Sequence, residues 1–219
     1  MFTEFAEIVL LSLQVSGIAL LFSAIIGIPV GSILGLSRFV GRKILVAFLY
    51  TGMGFPPVVI GLFVYLMLSR NSPIGSQNLP WLPDLFTPAA MIFAQTIIAF
   101  PLVAGFTMAA VMGVDPQLRQ QMLSLGATKF QTAATILQEA RLGVIVAVVA
   151  GFGSIISEVG AVMIVGGNIE GRTRVLTTAI VLETGKGNFD LAIALGVFLL
   201  AMTFVINVLM LRLQGRAIG

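Results

Sequence analysis

Long apolar runs dominate this chain and decide what it can fold into. Five runs carry at most one charged residue each and are near or above the roughly 20 residues that a spanning helix needs. None shows the short alternating pattern of a membrane β-strand. We therefore predict an all-α integral membrane bundle with five transmembrane helices in a single domain over residues 1–219. The predicted spans are residues 8–36, 44–68, 85–114, 142–166 and 191–211.

Composition excludes several classes of function. Only 10% of the residues are charged, against the roughly 25% of soluble domains, and cysteine and histidine are both absent. Disulfides, cysteine or histidine metal sites and histidine-based catalysis are therefore excluded, and no set of residues suggests an intramembrane enzyme. Gly185-Lys186 does not form a nucleotide-binding loop, because Ile180 stands where its leading glycine should be. We expect neither ATPase activity nor a cofactor in this chain, and no basic-aromatic patch suggests nucleic acid.

The positions of the basic residues predict the orientation. Lysine and arginine are enriched in the short cytoplasmic loops of membrane proteins. Eight of the twelve basic residues fall at one end of the predicted bundle, which is therefore predicted to be cytoplasmic. The N-terminus is then outside and the C-terminus inside. The eight are Arg38, Arg42, Lys43, Arg119, Lys129, Arg141, Arg212 and Arg216, and the four at the other end are Arg70, Arg172, Arg174 and Lys186.

A polar segment, residues 115–141, separates the third and fourth spans. Asp115 followed by Pro116 is a helix-start signal, with a capping carboxylate and a proline at the first helical position. Apolar residues then recur at helical spacing until Gly126, and the period resumes from Phe130. We predict two short helices bent at a glycine, a shape that another protein could grip. The alternative is an amphipathic helix that lies on the membrane surface.

Prolines fall inside three of the predicted spans, at Pro29, Pro56-Pro57 and Pro101. A proline inside a helix frees a carbonyl group that lipid cannot satisfy, so the set favours a bundle that lines a path. The alternative is that glycine and proline are simply common in membrane helices. Outside the spans, Trp81 is predicted to be an interfacial anchor and residues 175–182 a short interfacial helix.

The polar segment resembles the signature loop of permease subunits of ATP-binding-cassette importers. That pattern is Glu-Ala-Ala, three residues, Gly, nine residues, then Ile-x-Leu-Pro. Gly126 matches the glycine and Ile136 the isoleucine. The chain departs from the pattern at Gln120-Gln121-Met122, in place of Glu-Ala-Ala, and at Gln138-Glu139, in place of Leu-Pro.

Four further segments resemble the molybdate and sulfate permeases of that family, in the same order along the chain. Two others, Leu137–Arg141 and Leu176–Thr184, look most like the tungstate permeases. The resemblance covers nearly the whole chain. The four segments are Pro56–Gly61, Ala94–Pro101, Ser157–Ala161 and Gly167–Arg174.

The resemblance implies an import system in a prokaryotic cell membrane. Two copies of this chain would form the pathway as a homodimer, and two cytoplasmic ATPase subunits, which bind ATP and Mg²⁺, would drive it. An extracytoplasmic binding protein would deliver a tetrahedral oxyanion. Tungstate is the first expectation, with molybdate or sulfate as alternatives within the family. Other possibilities are an amino acid or phosphonate cargo, or, in a different class, a secondary transporter driven by an ion gradient.

The same resemblance assigns a coupling helix to the polar segment, which we call the coupling segment. Small residues there would let the backbone approach an ATPase groove closely, and an aromatic neighbour could anchor the contact in an apolar pocket. The residues predicted to couple to the ATPase are Leu125, Gly126, Ala127, Thr128 and Phe130.

An oxyanion pathway needs hydrogen-bond donors without a deep charge trap. Glu158 is the one ionisable residue within a span, and a carboxylate would repel an anion. We therefore favour for it a structural or gating role with a hydrogen bond near Ser154 and Ser157, over direct participation in the pathway. Arg172 and Arg174 are candidates for docking the binding protein. Candidate donors, each of which could instead make an interhelical hydrogen bond, are Gln14, Ser16, Gln95, Thr96 and Thr107.

Overall fold

The computed structural model describes residues 2–73, 75–77 and 82–215, and within them the chain is all α-helical. Trp81 and Arg216, which entered the predictions above, lie outside the described residues. Besides its α-helices, the described chain contains a single 3₁₀ turn, Gly75–Gln77. These helices are α1 Phe2–Leu36, α2 Arg42–Met53, α3 Pro57–Leu68, α4 Pro88–Met112, α5 Pro116–Ser124, α6 Lys129–Glu139, α7 Arg141–Ile156, α8 Gly160–Gly166, α9 Leu176–Gly185 and α10 Phe189–Gly215.

Three of the helices are long and apolar enough to cross a membrane alone, and they match three predicted spans. Their qualifying stretches are Phe5–Leu36, Pro88–Met112 and Phe189–Met210. The number of spans in the described chain rises to five if each of two bent helix pairs, α2–α3 and α6–α7, counts as one. The prediction of membrane-spanning helices is thus confirmed, whereas the number of spans stays a prediction.

The predicted span 44–68 is not one straight helix. It consists of α2 and α3, which meet at an angle of 104°. The break falls at Gly54-Phe55-Pro56, directly before Pro57 at the first position of α3. Proline has no N–H to donate and disfavours a helical conformation in the residue before it, so two prolines in succession stop α2 and start a new helix.

The predicted span 142–166 is also interrupted. Helix α7 ends at Ile156 and α8 begins at Gly160, with Ser157, Glu158 and Val159 between them. The break lies beside α3, because α8 packs along that helix. Both interrupted spans therefore meet inside the bundle.

Helix α4 is the centre of the bundle and packs most extensively against α1 and α7. Glycines on α1 make the first of these contacts close: a side chain on Gly31 would collide with the carbonyl oxygen of Ala104. Val103 and Ala104 are accordingly fully buried. Small residues let membrane helices approach through their backbones, which strengthens their van der Waals packing.

The predicted interfacial helix over 175–182 is present as α9, but its first turn lies inside the bundle. Leu176, Thr178 and Ala179 are buried, and Leu176 and Ala179 pack with Leu195 of α10. The Leu176 N–H donates to the hydroxyl oxygen of Ser12 on α1 at 2.8 Å. The sequence did not predict this burial, because it depends on contacts with distant parts of the chain, Ser12 of α1 and Leu195 of α10.

Candidate functional site

The coupling segment forms the two short helices that the sequence predicts. Asp115 caps α5 by accepting a hydrogen bond from the Gln117 N–H at 2.8 Å, and Pro116 occupies the first helical position. The chain then turns at Gly126, whose φ of +83° favours glycine over any residue with a side chain. The Ala127 N–H donates back to the Met122 carbonyl oxygen at 3.0 Å and closes the turn.

Helix α6 begins with a reciprocal cap at Thr128. Its hydroxyl oxygen accepts from the Gln131 N–H at 3.2 Å, and the Gln131 side-chain oxygen accepts from the Thr128 N–H at 2.8 Å. Two N–H groups that a helix start leaves unpaired are thereby satisfied. The cap fixes the direction in which α6 leaves the bend.

Apolar side chains project from this bend into the surroundings. Leu125 is 83% exposed and Phe130 84% exposed. A Cβ atom at Gly126 would meet no atom within 4 Å, so the backbone there is open to approach. All five residues predicted to couple to the ATPase lie in this one turn, residues 125–130, which we call the coupling bend. Exposed anchors beside an accessible backbone are suited to fill a pocket on a partner.

Replacing Thr128 with alanine should loosen the start of α6. Loss of a threonine cap costs about 0.5–2 kcal/mol of local stability. Amide hydrogen exchange over residues 129–133 of the detergent-purified chain should therefore accelerate. The matched control is Thr135→Ala in the same helix, whose exposed hydroxyl donates only to the Gln131 carbonyl oxygen. Equal acceleration in both variants would contradict a capping role.

The coupling segment is tied to the membrane helices through α1 and α4. The Arg119 side chain on α5 donates from Nη1 to the Leu36 carbonyl oxygen, in the last turn of α1, at 3.0 Å. On α6, Ile136 packs with Ala140 and with Val111 of α4 in a buried cluster. The coupling segment therefore contacts both members of the most extensively packed helix pair, α1 and α4.

Glu158 acts as a backbone acceptor at the break between α7 and α8. Its Oε1 accepts a hydrogen bond from the Ala161 N–H at 2.8 Å, and its own carbonyl oxygen accepts from the Thr177 hydroxyl at 2.9 Å. The nearby Ser157 hydroxyl instead donates to the Gly153 carbonyl oxygen. The hydrogen bond expected for Glu158 is therefore present, but its partner is a backbone amide of α8 and neither of the two serines.

A glutamine at position 158 should support the same local structure. Its side-chain oxygen can still accept from the Ala161 N–H, whereas Glu158→Ala leaves that buried amide unpaired at a cost of about 1–3 kcal/mol. We expect Glu158→Gln to keep the melting temperature and the transport rate, and Glu158→Ala to lower both. Loss of transport with an unchanged melting temperature in Glu158→Gln would assign the charge itself a role in the pathway.

The other predicted pathway residues do not converge on one space. Ser16, Gln95 and Thr107 are buried within the bundle. Gln95 donates from Nε2 to the Ile155 carbonyl oxygen of α7 at 2.9 Å, which is the interhelical alternative stated for it above. The Thr96 hydroxyl donates within its own helix, to the Ile92 carbonyl oxygen at 2.7 Å.

A cavity of about 610 Å³ opens at the break between α2 and α3. Its walls come from α1, α2, α3 and α4, with Ser154 of α7 contributing a hydroxyl group. None of the residues predicted for the pathway lines it. The sequence signal for this cavity was the break itself, since Gly54, Pro56 and Pro101 all line it. The aromatic side chains that line it are Phe48, Phe55 and Phe100.

Gln14 lies instead with the two predicted docking arginines. A cleft of about 220 Å³ is lined by Gln14, Arg172 and Arg174, together with Glu7 and Glu170. Arg172 is exposed, whereas Arg174 is half-buried and forms an ion pair with Glu170 at 3.3 Å. The sequence did not predict that these residues share one cleft, because the contact joins the first helix to a loop far along the chain.

One carboxylate near that end of the bundle has a shifted pKa. Hydrogen bonds from the side chains of Lys186 and Asn188 lower the pKa of Glu183 below its ordinary value. The three side chains connect the end of α9 to the start of α10. Their interaction is present above the ordinary pKa of a glutamate and is lost as the pH falls through the lowered value.

The chain belongs to the family of binding-protein-dependent transport system inner membrane components, whose model matches residues 27–218. It is therefore a membrane component of a transport system and not its ATPase. The match includes the coupling bend, both helix breaks and the cavity between α2 and α4.

Three relatives are similar over most of their length. The probable anion ABC transporter permease protein of Haloferax volcanii is 42% identical, and the match covers 99% of this chain and 94% of that protein. The tungstate uptake system permease protein TupB of Peptoclostridium acidaminophilum is 41% identical, and the match covers 94% of this chain and 89% of that protein. The molybdenum transport system permease protein ModB of Escherichia coli K12 is 33% identical, and the match covers 79% of this chain and 77% of that protein.

Solved structures share the fold at low sequence identity. A chain of the inward-facing MetNI methionine ABC transporter superimposes with a TM-score of 0.81 at 19% identity, and the match covers 99% of this chain and 97% of that one. A chain of a bacterial ABC transporter for the acidic polysaccharide alginate gives 0.75 at 22% identity and covers 97% and 79%. These likenesses establish the ABC permease fold.

Proposed function

We propose that this chain is the permease subunit of an ATP-driven importer that moves a tetrahedral oxyanion, in the first instance tungstate, into the cytoplasm. Two copies would form the pathway, two ATPase subunits would engage the coupling bends, and a binding protein would deliver the anion to the opposite end. Molybdate and sulfate are the alternative cargoes. The similarity to the anion and tungstate permeases over nearly the whole chain supports this cargo class.

The observation that carries the proposal is the exposed coupling bend. Its apolar anchors, Leu125 and Phe130, have no covering element in the described chain and are held in position by two capped helices. In a mechanism driven by a partner, ATP-dependent closure of the ATPase pair would displace both bends. The tie between Arg119 and Leu36 would then pass this displacement to α1 and switch the access of the pathway.

The chemistry of the large cavity supports weak binding within the permease. Its walls are apolar side chains with the Ser154 hydroxyl and without a charged residue among those that line it. A dianion that passes such a space meets no opposite charge that would retain it. Selectivity would then reside mainly in the binding protein, whose docking we assign to the cleft with Arg172 and Arg174.

Reconstitution into liposomes with the cognate ATPase and binding protein tests the function. We expect ATP-dependent uptake of tungstate, with molybdate and sulfate compared as competitors for the binding protein. If tungstate is not taken up but molybdate or sulfate is, the cargo changes and the importer function stands. Uptake by the chain alone, driven by an ion gradient and indifferent to ATP, would contradict the importer function and favour a secondary transporter.

The docking assignment makes a separate prediction. Arg172→Glu should weaken binding of the loaded binding protein to the reconstituted complex by roughly tenfold, because reversal of an exposed charge changes the electrostatic attraction between the two surfaces. The measurement is the half-saturating concentration of binding protein in an ATPase assay at low and high salt. Arg70→Glu, an exposed reversal elsewhere at the same end, is the control. Equal effects of both variants would remove the cleft from the docking surface.

A further inference from the structure

A basic cavity lies where α1 ends, beside the coupling segment. It has a volume of about 290 Å³, and its polar lining includes Ser37, Arg38, Arg42 and Arg119. The three arginines come from three separate places: the loop after α1, the start of α2 and the middle of α5. Among the residues that line the cavity, Asp115 is the one acid, and its carboxylate already caps α5.

Backbone carbonyl groups hold two of these arginines in position. Arg42 donates from Nε to the Leu34 carbonyl oxygen at 2.6 Å, and Arg119 donates from Nη1 to the Leu36 carbonyl oxygen at 3.0 Å. A guanidinium group carries five N–H donors, so one such bond orients the group and leaves donors for a ligand. Planar guanidinium groups with fixed orientation match the oxygen atoms of a phosphate group.

The charges around the cavity favour an anion. The carbonyl groups at the end of α1 and the Asp115 carboxylate offset part of the positive charge of the three arginines. Helix α2, however, begins at Arg42 without an acidic residue in its first turn and without a side-chain cap. The positive end of its dipole therefore adds to the guanidinium charges. The balance at the cavity is positive.

The cavity lies at the level where lipid headgroups are expected. The helical rise along α1 from Gln14, in the outer cleft, to Leu36 is about 33 Å at roughly 1.5 Å per residue, close to the ~30 Å of a bilayer core. Between these points α1 exposes Leu21, Ile25 and Ile33. An adjoining cavity of about 230 Å³ is lined by Ile33 and Leu36 on one side and by Lys129 on the other. Apolar surface therefore leads directly into the basic cavity.

We propose that this cavity binds a phosphate group through Arg38, Arg42 and Arg119, and that the phosphate belongs to an anionic phospholipid whose acyl chain lies along Ile33. The site is independent of the transported cargo. A lipid bound there would contact the end of α1 and α5 together, at the point where the coupling segment is tied to the membrane helices.

Native mass spectrometry of the full chain in detergent tests the site. The chain is titrated with phosphatidylglycerol and with phosphatidylcholine, in the absence and presence of excess inorganic phosphate. We expect stronger binding of phosphatidylglycerol, a loss of about fivefold in Arg38→Gln, and recovery in Arg38→Lys. Arg38 is the first choice because it is exposed and its replacement spares the bonds to Leu34 and Leu36; Arg119→Gln is the second variant. The control is Arg70→Gln, an exposed arginine at the opposite end, which should bind like the native chain.

Two results would overturn the proposal in different ways. Equal binding of the two lipids, or phosphatidylglycerol binding that is unchanged in both Arg38→Gln and Arg119→Gln, would show that the cavity does not recognise phosphate. Binding of inorganic phosphate that displaces the lipid and depends on Arg38 would overturn the lipid source and leave a site for a free anion. Phosphatidylglycerol binding that resists phosphate and depends on the arginines supports the proposal as stated.

Discussion

Phe130→Ala should release the ATPase from this chain while leaving the chain itself folded. An aromatic anchor that fills a pocket at a protein interface contributes about 2–4 kcal/mol, so its removal should weaken association roughly 30-fold or more. Phe130 is 84% exposed, and its loss removes almost no packing within the chain. The measurement is the amount of ATPase that co-purifies from detergent with tagged native chain and with the variant.

Gly126→Trp tests the same contact through the backbone. No atom lies within 4 Å of a Cβ at this position, so the indole would project outward and hold a partner away. We expect complete loss of the ATPase. The positive φ of Gly126 also strains any other residue, so Gly126→Ala separates strain from obstruction: it should retain most of the association.

The matched control for both variants is Phe204→Ala on α10, an aromatic residue that is 70% exposed and far from the coupling bend in the sequence. It should co-purify with ATPase as the native chain does. If Phe130→Ala and Gly126→Trp retain normal amounts of ATPase while monodisperse, the coupling bend is not the contact and the importer proposal loses its main support. Ion-gradient-driven uptake by the chain alone would then be measured next.

The local features of this chain were predictable because each depends on neighbouring residues. Asp115-Pro116 starts α5, Gly126 makes the turn, and the proline pair at 56–57 interrupts the second span. These effects arise from backbone conformation within a few residues. Long apolar runs likewise predict helical structure, although two of the five runs are interrupted.

Contacts between distant segments were not predictable from residue type. Gln95 was a candidate for the pathway, but its amide is used by the Ile155 carbonyl oxygen of a neighbouring helix. Glu158 is predicted to form a hydrogen bond near Ser154 and Ser157, and the sequence does not name the partner: it is an amide that becomes available only because α8 starts afresh after a break. For polar side chains such as these, the packing of the helices decides which partner is found.

The contact between the two interrupted spans makes the second large prediction. Gly61 of α3 lies so close to α8 that a Cβ atom on it would be 2.5 Å from the Cα and 3.0 Å from the Cβ of Ala161. The first of these is a backbone atom, so the neighbour cannot move aside by changing a rotamer. Gly61→Leu must therefore separate α3 from α8, which also carries the hydrogen bond to Glu158.

We expect Gly61→Leu to lower the melting temperature of the purified chain by about 2–12 °C, from an overpacking cost of about 1–3 kcal/mol. Gly17→Leu is the matched control, because a Cβ at Gly17 on α1 meets nothing within 4 Å. Gly61→Ala, whose single added Cβ meets the same backbone atom, should lose a smaller part of the stability, and adding Ala161→Gly should not restore it, because the Ala161 Cα remains in place. An equal loss in Gly17→Leu, or full stability in Gly61→Leu, would show that the two interrupted spans do not depend on this contact. A loss of stability and transport in Gly61→Leu that Gly17→Leu does not share would identify the α3–α8 contact as the element that holds both breaks beside the cavity.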